Sequence, residues 1–225
     1  MASRTNRNIW RSNRLIIRPV ESSDEAFLRS IHEETSDGFQ NAVPFMPVPQ
    51  GPASAKSYRE FLEKCLIGCI ICLPSPAPTT TTPETENETE SKSTTTETPP
   101  DASTSKKPCP TPIGTISLMA IDPNMSHHRK TMIGITLAPP YQSKGYGSEA
   151  ILWALEWAFR HANMHRVEIG AFGYNEGAWK LYERLGFVHE GRKREALWYD
   201  GEWHDLVCLG MLKKEWQERY GVKKA

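Results

Sequence analysis

The chain has 225 residues, and its 27 lysines and arginines are balanced by 27 aspartates and glutamates, giving a formal net charge of zero. A neutral chain lacks the basic excess that non-specific nucleic-acid binding requires, so we expect no nucleic-acid partner. No apolar run is long enough to span a bilayer, so we expect no membrane partner either. The length suits one domain with a substantial core.

The cysteine count and the first 20 residues indicate the cellular compartment in which the protein is located. The five cysteines are an odd number and no secretory signal is visible, which favours reduced thiols and a cytoplasmic protein. Three of them lie in the apolar run CLIGCIICL at 65–73, where cysteine behaves as a small hydrophobic residue and no metal is expected. Five arginines and no acid in residues 1–20 resemble a mitochondrial presequence, but RLIIRP at 14–19 is typical of a core strand and leaves only a short one.

The first predicted elements alternate between strand and helix. The apolar run that precedes Pro19 predicts a strand, and Ser22 is the expected cap of an amphipathic helix over 22–34 with acids in its first turn. A second helix is predicted over 54–65, and a second strand over 66–73.

Residues 74–112 differ from the rest of the chain. They hold nine of the 17 prolines, most of the threonines and almost no large apolar side chain. Such a segment cannot bury enough surface to offset its ordering entropy, so we predict a disordered insertion within a single domain over 1–225. It serves either as a plain spacer or as a phosphorylated or docking segment.

The second half of the chain continues the alternation. Strands are predicted over 113–122, 131–138 and 166–173, a turn over 126–130, helices over 148–162 and 175–186, and a closing hairpin over 187–199 and 202–212. The hairpin turn is Asp200-Gly201, a pair that suits a type I′ turn. This order predicts an α+β fold: a mixed, largely antiparallel sheet flanked by helices.

The stretch YQSKGYGSEAI at 141–151 joins a predicted strand to a predicted helix. The first amides of a helix have no intrahelical partner and attract anions, and Gly145 and Gly147 let a ligand approach the backbone. Lys144 adds a charge, and Ser148 either caps the helix or binds the anion. The stretch therefore predicts a phosphate site.

The residue pattern of this loop distinguishes among the known phosphate-binding folds. No Walker GxxxxGK[ST] pattern is present, and Glu168 lies inside a strand, unlike the acid that follows a dinucleotide fingerprint. QSKGYG at 142–147 resembles instead the Q/R-x-x-G-x-G/A loop of the GNAT superfamily of acyl-CoA N-acyltransferases. NEGAWKLYERLGF at 175–187 resembles the family's N-x-x-A-x-x-x-Y-x-x-x-G-F segment. The opening and closing segments resemble the branch that includes ribosomal-protein N-terminal alanine acetyltransferases and related small-amine acetyltransferases.

The resemblance implies the element order βααβββαβαββ, acetyl-CoA as co-substrate without a metal, and transfer of acetyl to a primary amine of a peptide or small molecule. The fourth strand would splay from the fifth, and backbone groups of Ile135, Thr136 and Leu137 would pair with the pantetheine arm. The diphosphate would lie on the loop made by Gln142, Ser143, Lys144, Gly145, Tyr146, Gly147 and Ser148. Asn175 would contact the arm, and Tyr182 would protonate the departing thiolate. A monomer or homodimer is expected.

The general base and the acceptor site stay open. Members of the family that the chain resembles often carry a glutamate on the fourth strand, whereas residues 131–134 contain no acid. A catalytically weak acyl-CoA sensor or scaffold is therefore the alternative. Candidate bases are His127, His128, Glu33, Glu34 or a water relay. Residues that would line the acceptor site are Phe39, Phe45, Met46, Trp198, Tyr199 and Trp203. The hairpin aromatics among them are equally well explained as cross-strand pairs.

Overall fold

The structure, a computed structural model, describes residues 8–33, 48–49, 51–75 and 109–221. The predictions for Glu34, Phe39, Phe45 and Met46, and for most of the insertion, lie outside the described residues. Within these ranges, no helix combines the length and the apolar character that crossing a membrane would need.

The described residues form seven strands and five α-helices. The strands are β1 (Ile16–Pro19), β2 (Ile67–Leu73), β3 (Thr111–Leu118), β4 (Lys130–Leu137), β5 (Arg166–Phe172), β6 (Val188–Tyr199) and β7 (Glu202–Leu212). The helices are α1 (Glu25–Glu33), α2 (Pro52–Lys64), α3 (Tyr146–Glu156), α4 (Glu176–Arg184) and α5 (Lys213–Tyr220). From β1 to β7 the strands and helices follow one another in the predicted order βααβββαβαββ, so this prediction is confirmed.

All seven strands belong to one sheet with the order β1-β2-β3-β4-β5-β7-β6. Neighbouring strands are antiparallel except β4 and β5, which are parallel and are connected through α3. The predicted α+β class with a largely antiparallel sheet is therefore confirmed. The single parallel pair lies at the centre of the sheet, between two antiparallel halves.

Each face of the sheet has its own apolar core. On β5, Val167, Ile169 and Ala171 are buried and alternate with more exposed neighbours, the pattern of a strand with one face against the core. This face packs against α3, α4 and α5 in the larger cluster. The other face packs against α1 and α2 through a smaller cluster centred on Leu28, Leu62 and Ile70.

Several predicted boundaries move, each for a local reason. Ser22 does not cap α1, because residues 22–24 form a separate 3-10 turn in which Asp24 accepts hydrogen bonds from the Glu21 amide and from Arg18. Helix α2 begins two residues earlier than predicted, at Pro52, where the fixed φ of proline suits the first helical position.

At the chain's C-terminal end, α5 was not predicted. Its eight residues are mostly polar and only Trp216 is buried, so no apolar period marks it. The hairpin prediction is confirmed: Asp200 and Gly201 have φ of 48° and 83°, the left-handed pair that a type I′ turn requires.

Candidate active site

The central parallel pair of strands separates half-way along its length. Pairing between β4 and β5 runs from Lys130 opposite Arg166 to Ile133 opposite Ile169 and then stops. Beyond that point β4 stays paired with β3 up to Leu137, while β5 stays paired with β7. Because each strand keeps its outer neighbour, a wedge-shaped gap opens between β4 and β5.

Backbone groups of β4 face this gap without a strand partner. The Met119 amide donates to the Met132 carbonyl at 2.9 Å, and the Ala138 amide donates to the Ile113 carbonyl at 2.9 Å. In an antiparallel ladder such bonded positions alternate along the strand. Residues 134 and 136 therefore bond to β3, while Ile135 and Leu137 direct their backbone groups at the gap.

This alternation corrects one of the three predicted contacts. The backbone of Thr136 is turned toward β3 and away from the gap, so Ile135 and Leu137 are the residues suited to pair with a ligand. The carbonyl of Leu137 accepts a hydrogen bond from Nε2 of Gln142 at 2.9 Å. Both groups of Ile135 and the amide of Leu137 remain directed at the gap.

A short 3-10 turn, Pro139–Tyr141, connects β4 to the glycine loop. Ser143 and Gly145 both adopt left-handed φ, 56° and 81°, and Gly145 is the N-cap of α3. No side chain caps this helix, so its first amides point out unbonded, which is the arrangement that binds anions. The predicted helix start at residue 148 is two residues late, because the helix begins at Tyr146. Ser148 is its third residue, which excludes the cap and leaves anion binding as the open alternative for Ser148.

The two glycines of the loop have different roles. Gly145 needs its positive φ, and a side chain there would come within 3.2 Å of Nη2 of Arg14. A Cβ at Gly147 would meet only Cδ1 of Leu137, at an ordinary 3.6 Å. Nothing in the described protein requires glycine at 147, so the open space beside its backbone is available to a ligand.

The sequence profile of the GNAT acetyltransferase domain matches residues 14–188. The chain belongs to the GNAT acetyltransferase family. The matched region begins at Arg14 and includes the splayed strands and the glycine loop, so the predicted resemblance is confirmed.

Curated relatives support the same family. A putative ribosomal N-acetyltransferase, YdaF of Bacillus subtilis (strain 168), is 36% identical over 104 residues, which are 46% of this chain and 55% of that protein. A spermidine N(1)-acetyltransferase of Vibrio cholerae serotype O1 is 31% identical over 107 residues, 48% of this chain and 60% of that protein. The chain spans about half the length of the curated relatives that it matches.

Solved structures show the same fold. The spermidine N-acetyltransferase from Vibrio cholerae in complex with CoA and spermine has a TM-score of 0.65 at 19% identity, covering 91% of this chain and 99% of that one. A GNAT family acetyltransferase from Bacillus anthracis has a TM-score of 0.62 at 18% identity, covering 91% of this chain and 98% of that one.

In this GNAT fold, Tyr182 lies on α4, the helix that packs against β5. Its side chain is only 7% exposed, its ring lies 6.2 Å from that of Phe187, and no hydrogen bond to its hydroxyl is found among the described residues. Burial raises the pKa of Tyr182 to about 12, so the hydroxyl holds its proton at neutral pH. A core tyrosine would usually have its hydroxyl satisfied locally, and here the described residues offer no such partner.

Asn175 is the N-cap of α4 and lies three residues beyond the end of β5. Its Oδ1 accepts a hydrogen bond from the Ala178 amide at 3.2 Å, which confirms the predicted N-cap. Gly186 follows the helix with φ of 90°, the left-handed conformation expected just past a helix end.

The two histidines lie away from the gap. His127 and His128 end a 3-10 turn just before β4 and are exposed, with ring centroids 3.9 Å apart. Five residues of strand, roughly 16 Å, separate Lys130 from Ile135. An open cleft of about 440 Å³ does adjoin His128, lined by Met125, Lys130, His165, Arg166 and Glu168, but β4 and β5 are paired at that end. The geometry therefore does not support either histidine as the base.

The remaining candidates gain little support. Glu33 is the last residue of α1, and its side chain lies outside the part of the chain that the structure describes, so Glu33 stays an untested prediction. Among the described residues, no three His, Cys, Asp or Glu side chains are grouped to hold a metal ion.

The hairpin aromatics divide into two kinds. Trp198 and Trp203 are directly opposite each other, with ring centroids 5.2 Å apart, and are 61% and 59% exposed. This is the cross-strand pair of the simpler interpretation. Tyr199 instead stacks on Tyr174 at 4.2 Å, just beyond the end of β5. Of the three, Tyr199 is the one whose ring packs beside the open end of the gap.

Sequence reasoning missed Tyr58 on α2. Its hydroxyl lies 3.1 Å from Oγ1 of Thr115 and also hydrogen-bonds Thr136. Tyr58 therefore lies beside the part of β4 that has separated from β5, on the face of the sheet opposite α4. Burial raises the pKa of Tyr58, and the two hydrogen bonds offset this only in part. Its helical spacing from Ala55 and Leu62 indicated a buried face, but nothing in the sequence pointed to partners on distant strands.

Proposed function

We propose that the protein is an N-acetyltransferase that moves an acetyl group from acetyl-CoA to a primary amine of a peptide or small molecule in the cytoplasm. The observation that carries the proposal is the continuity of two features. The backbone of β4 at Ile135 and Leu137, which faces the gap, is followed by the short turn Pro139–Tyr141, the glycine loop and the uncapped N-terminus of α3. A long ligand with amide groups at one end and phosphates at the other fits that succession.

Acetyl-CoA would then bind along this part of the chain, from β4 to the start of α3. The amides of the pantetheine arm would pair with Ile135 and Leu137 in the place of a strand. The diphosphate would lie on the amides of Tyr146, Gly147 and Ser148, with Lys144 adding positive charge. Asn175, already the cap of α4, has its amide nitrogen left to contact the arm.

The chemistry needs one bond made and one broken. The amine nitrogen attacks the thioester carbonyl carbon, the new C–N bond forms and the C–S bond breaks. Backbone amides facing the gap would stabilise the oxyanion that forms in between. Tyr182 would give its proton to the departing thiolate and recover one from solvent, so the products are an amide and free CoA.

The amine must also lose a proton. Residues 131–134 offer no acid, and the two histidines lie at the far end of β4. We propose that water takes this proton, with the amine reacting in its neutral form. The rate should therefore increase with pH until the acceptor amine is deprotonated.

The function is tested by thiol release from acetyl-CoA in the presence of single amines. The panel covers peptides that begin with Ala, Ser or Met, polyamines and aminoglycosides. The peptides and polyamines correspond to the relatives named as a putative ribosomal N-acetyltransferase and a spermidine N(1)-acetyltransferase. Amine-dependent thiol release that drops in Tyr182→Phe supports the proposal. Wild-type protein that releases no thiol with any amine contradicts it.

A second candidate is an acyl-CoA sensor or scaffold without turnover. The absence of an acid over 131–134 is the observation that favours it. Calorimetry separates the two candidates: a sensor binds acetyl-CoA tightly while the thiol assay stays at background with every amine.

A further inference from the structure

We propose that Arg14, two residues before β1, positions the glycine loop and donates hydrogen bonds to a phosphate group of the bound CoA. The inference rests on the proposed function, because it concerns the phosphate end of the same ligand. Arg14 lies 130 residues before Lys144 in the sequence, and no motif connects the two positions.

The first observation is a clamp between the N-terminal segment and α3. Glu149 lies in the first turn of α3, and its Oε2 accepts from Nε of Arg14 at 2.7 Å. Its Oε1 accepts from the Arg14 amide at 2.7 Å and from Oγ of Ser12 at 2.6 Å. Burial alone would raise the pKa of Glu149, but these hydrogen bonds hold it below its usual value, so the carboxylate is charged at neutral pH.

The second observation is that the same guanidinium lies against the loop itself. Nη1 of Arg14 donates to the Lys144 carbonyl at 3.2 Å. The guanidinium carbon lies 4.7 Å from the ring centroid of Tyr146, within cation–π distance. Nη2 lies 3.2 Å from the position that a Cβ on Gly145 would take. One side chain thus contacts Lys144 and Tyr146 and fills the space beside Gly145 between them.

The third observation concerns the donors that remain. A guanidinium has five N–H groups, and the contacts above use the one on Nε and one on Nη1. In the part of the chain that the structure describes, Nη2 makes no hydrogen bond, and the side chain is 49% exposed. A planar fork with free donors, fixed beside uncapped helix amides, is suited to a phosphate.

The backbone that carries Arg14 is also fixed. The indole nitrogen of Trp153 on α3 donates to the Ile9 carbonyl at 2.7 Å, and the rings of Trp10 and Trp153 lie 6.3 Å apart. The Ile17 amide donates to the Trp10 carbonyl at 2.8 Å. Residues 9–17 are therefore held on α3, and Arg14 is directed at the loop before any ligand arrives.

The experiment compares ligands that carry different parts of CoA. Dissociation constants are measured by calorimetry for CoA, 3′-dephospho-CoA and pantetheine with wild type, Arg14→Gln and Arg14→Lys. We expect Arg14→Gln to weaken CoA binding roughly tenfold, the effect of losing about one charge-assisted hydrogen bond, and to leave pantetheine unchanged. Arg14→Lys should lie between the two, because lysine keeps the charge and loses the fork.

The ligand series identifies the phosphate. An equal loss for CoA and 3′-dephospho-CoA assigns Arg14 to the diphosphate. A loss restricted to CoA assigns it to the 3′-phosphate.

A matched control and a second variant keep the test decisive. Arg160 also pairs with a carboxylate, Glu156, and lies 5.3 Å from the Trp216 ring, but it belongs to the π-helical turn Trp157–His161 that continues α3 at the end away from the glycine loop. Arg160→Gln should leave every ligand unchanged. Glu149→Gln, which releases Arg14 without removing it, should weaken CoA in the same direction as Arg14→Gln, and Arg14→Lys provides the comparison if Arg14→Gln unfolds.

Two results would overturn the inference alone. Equal losses for CoA and pantetheine would mean that Arg14 only supports the fold, and unchanged CoA binding in a folded Arg14→Gln would mean that it does not reach a phosphate. Wild-type protein that binds no CoA at millimolar concentration would overturn both this inference and the proposed function.

Discussion

Ile133 and Ile169 form the last pair between β4 and β5, and the two strands separate immediately beyond them. The separation follows from the sheet, because β3 holds β4 and β7 holds β5 over their remaining residues. A ligand that enters the gap would restore hydrogen bonds that the protein leaves open. Amide exchange can detect that event one residue at a time.

Acetyl-CoA should slow hydrogen exchange at the amides of Ile135 and Leu137, because both face the gap. The amide of Thr136 bonds to β3 in the free protein and should change little. Residue-resolved exchange with and without acetyl-CoA measures this difference, and Thr115 on β3 is the internal control. Equal protection at all three β4 amides would contradict the proposed pairing.

Gly147→Ala should separate stability from binding. The added methyl meets only Leu137, at 3.6 Å, and alanine favours a helix over glycine, so stability should increase by about 0.5–1 kcal/mol. Acetyl-CoA affinity should fall because the methyl occupies the space that the diphosphate needs. Urea denaturation and calorimetry measure the two effects.

Gly145→Ala is the companion variant. Its φ of 81° makes alanine strained by roughly 1–2 kcal/mol, so both stability and affinity should decrease. Unchanged acetyl-CoA affinity in Gly147→Ala would show that the ligand does not approach this backbone.

Tyr182→Phe should lower kcat by about 10²–10⁴ if the hydroxyl is the general acid, with KM for acetyl-CoA unchanged. The hydroxyl has no hydrogen-bond partner among the described residues, so stability at neutral pH should hold. A kcat within twofold of wild type would exclude Tyr182 as the acid.

The pH dependence of unfolding provides a second measurement on Tyr182. Because burial raises its pKa from 10.0 to about 12, the folded state favours the neutral ring. The corresponding stability is fully present below pH 10 and is lost as the pH rises through 12. Wild type should lose roughly 2–3 kcal/mol more than Tyr182→Phe across that window, with the other tyrosines common to both.

Asn175→Ala and Asn175→Asp distinguish a cap from a ligand contact. Alanine removes the acceptor for the Ala178 amide and should destabilise the fold by about 1 kcal/mol. Aspartate keeps the acceptor and should preserve stability. If Asn175 also donates to the pantetheine arm, Asn175→Asp weakens acetyl-CoA binding in a protein of wild-type stability, whereas wild-type affinity would limit Asn175 to capping.

Replacement of residues 76–108 with a short Gly-Ser linker should leave acetyl-CoA binding intact. The two ends of the segment already meet, because Ser75 Oγ donates to the Cys109 carbonyl at 2.6 Å and Leu73 is paired with Thr111. Closing a shorter flexible loop costs little. Calorimetry on the shortened chain tests the prediction, and a large loss of affinity would assign the segment a part in binding.

The sequence alone determined the local features of this protein. Two spaced glycines after an apolar run, a cap at Asn175 and an Asp-Gly pair at 200–201 depend on backbone preferences of neighbouring residues, so they predicted the loop, the start of α4 and the hairpin turn. The order of elements followed in the same way, and the two motifs led to the family.

The tertiary structure decided what depends on partners far apart in the chain. The position at which β4 and β5 separate depends on their pairing with β3 and β7. The direction of the Thr136 backbone groups, away from the gap, depends on which positions of β4 bond to β3. The contact of Arg14 with Lys144 and the hydrogen bonds of Tyr58 with Thr115 and Thr136 join residues whose local sequences contain no mark of each other. The displacement of His127 and His128 from the gap has the same origin, since the direction of β4 in the sheet fixes which end each residue occupies.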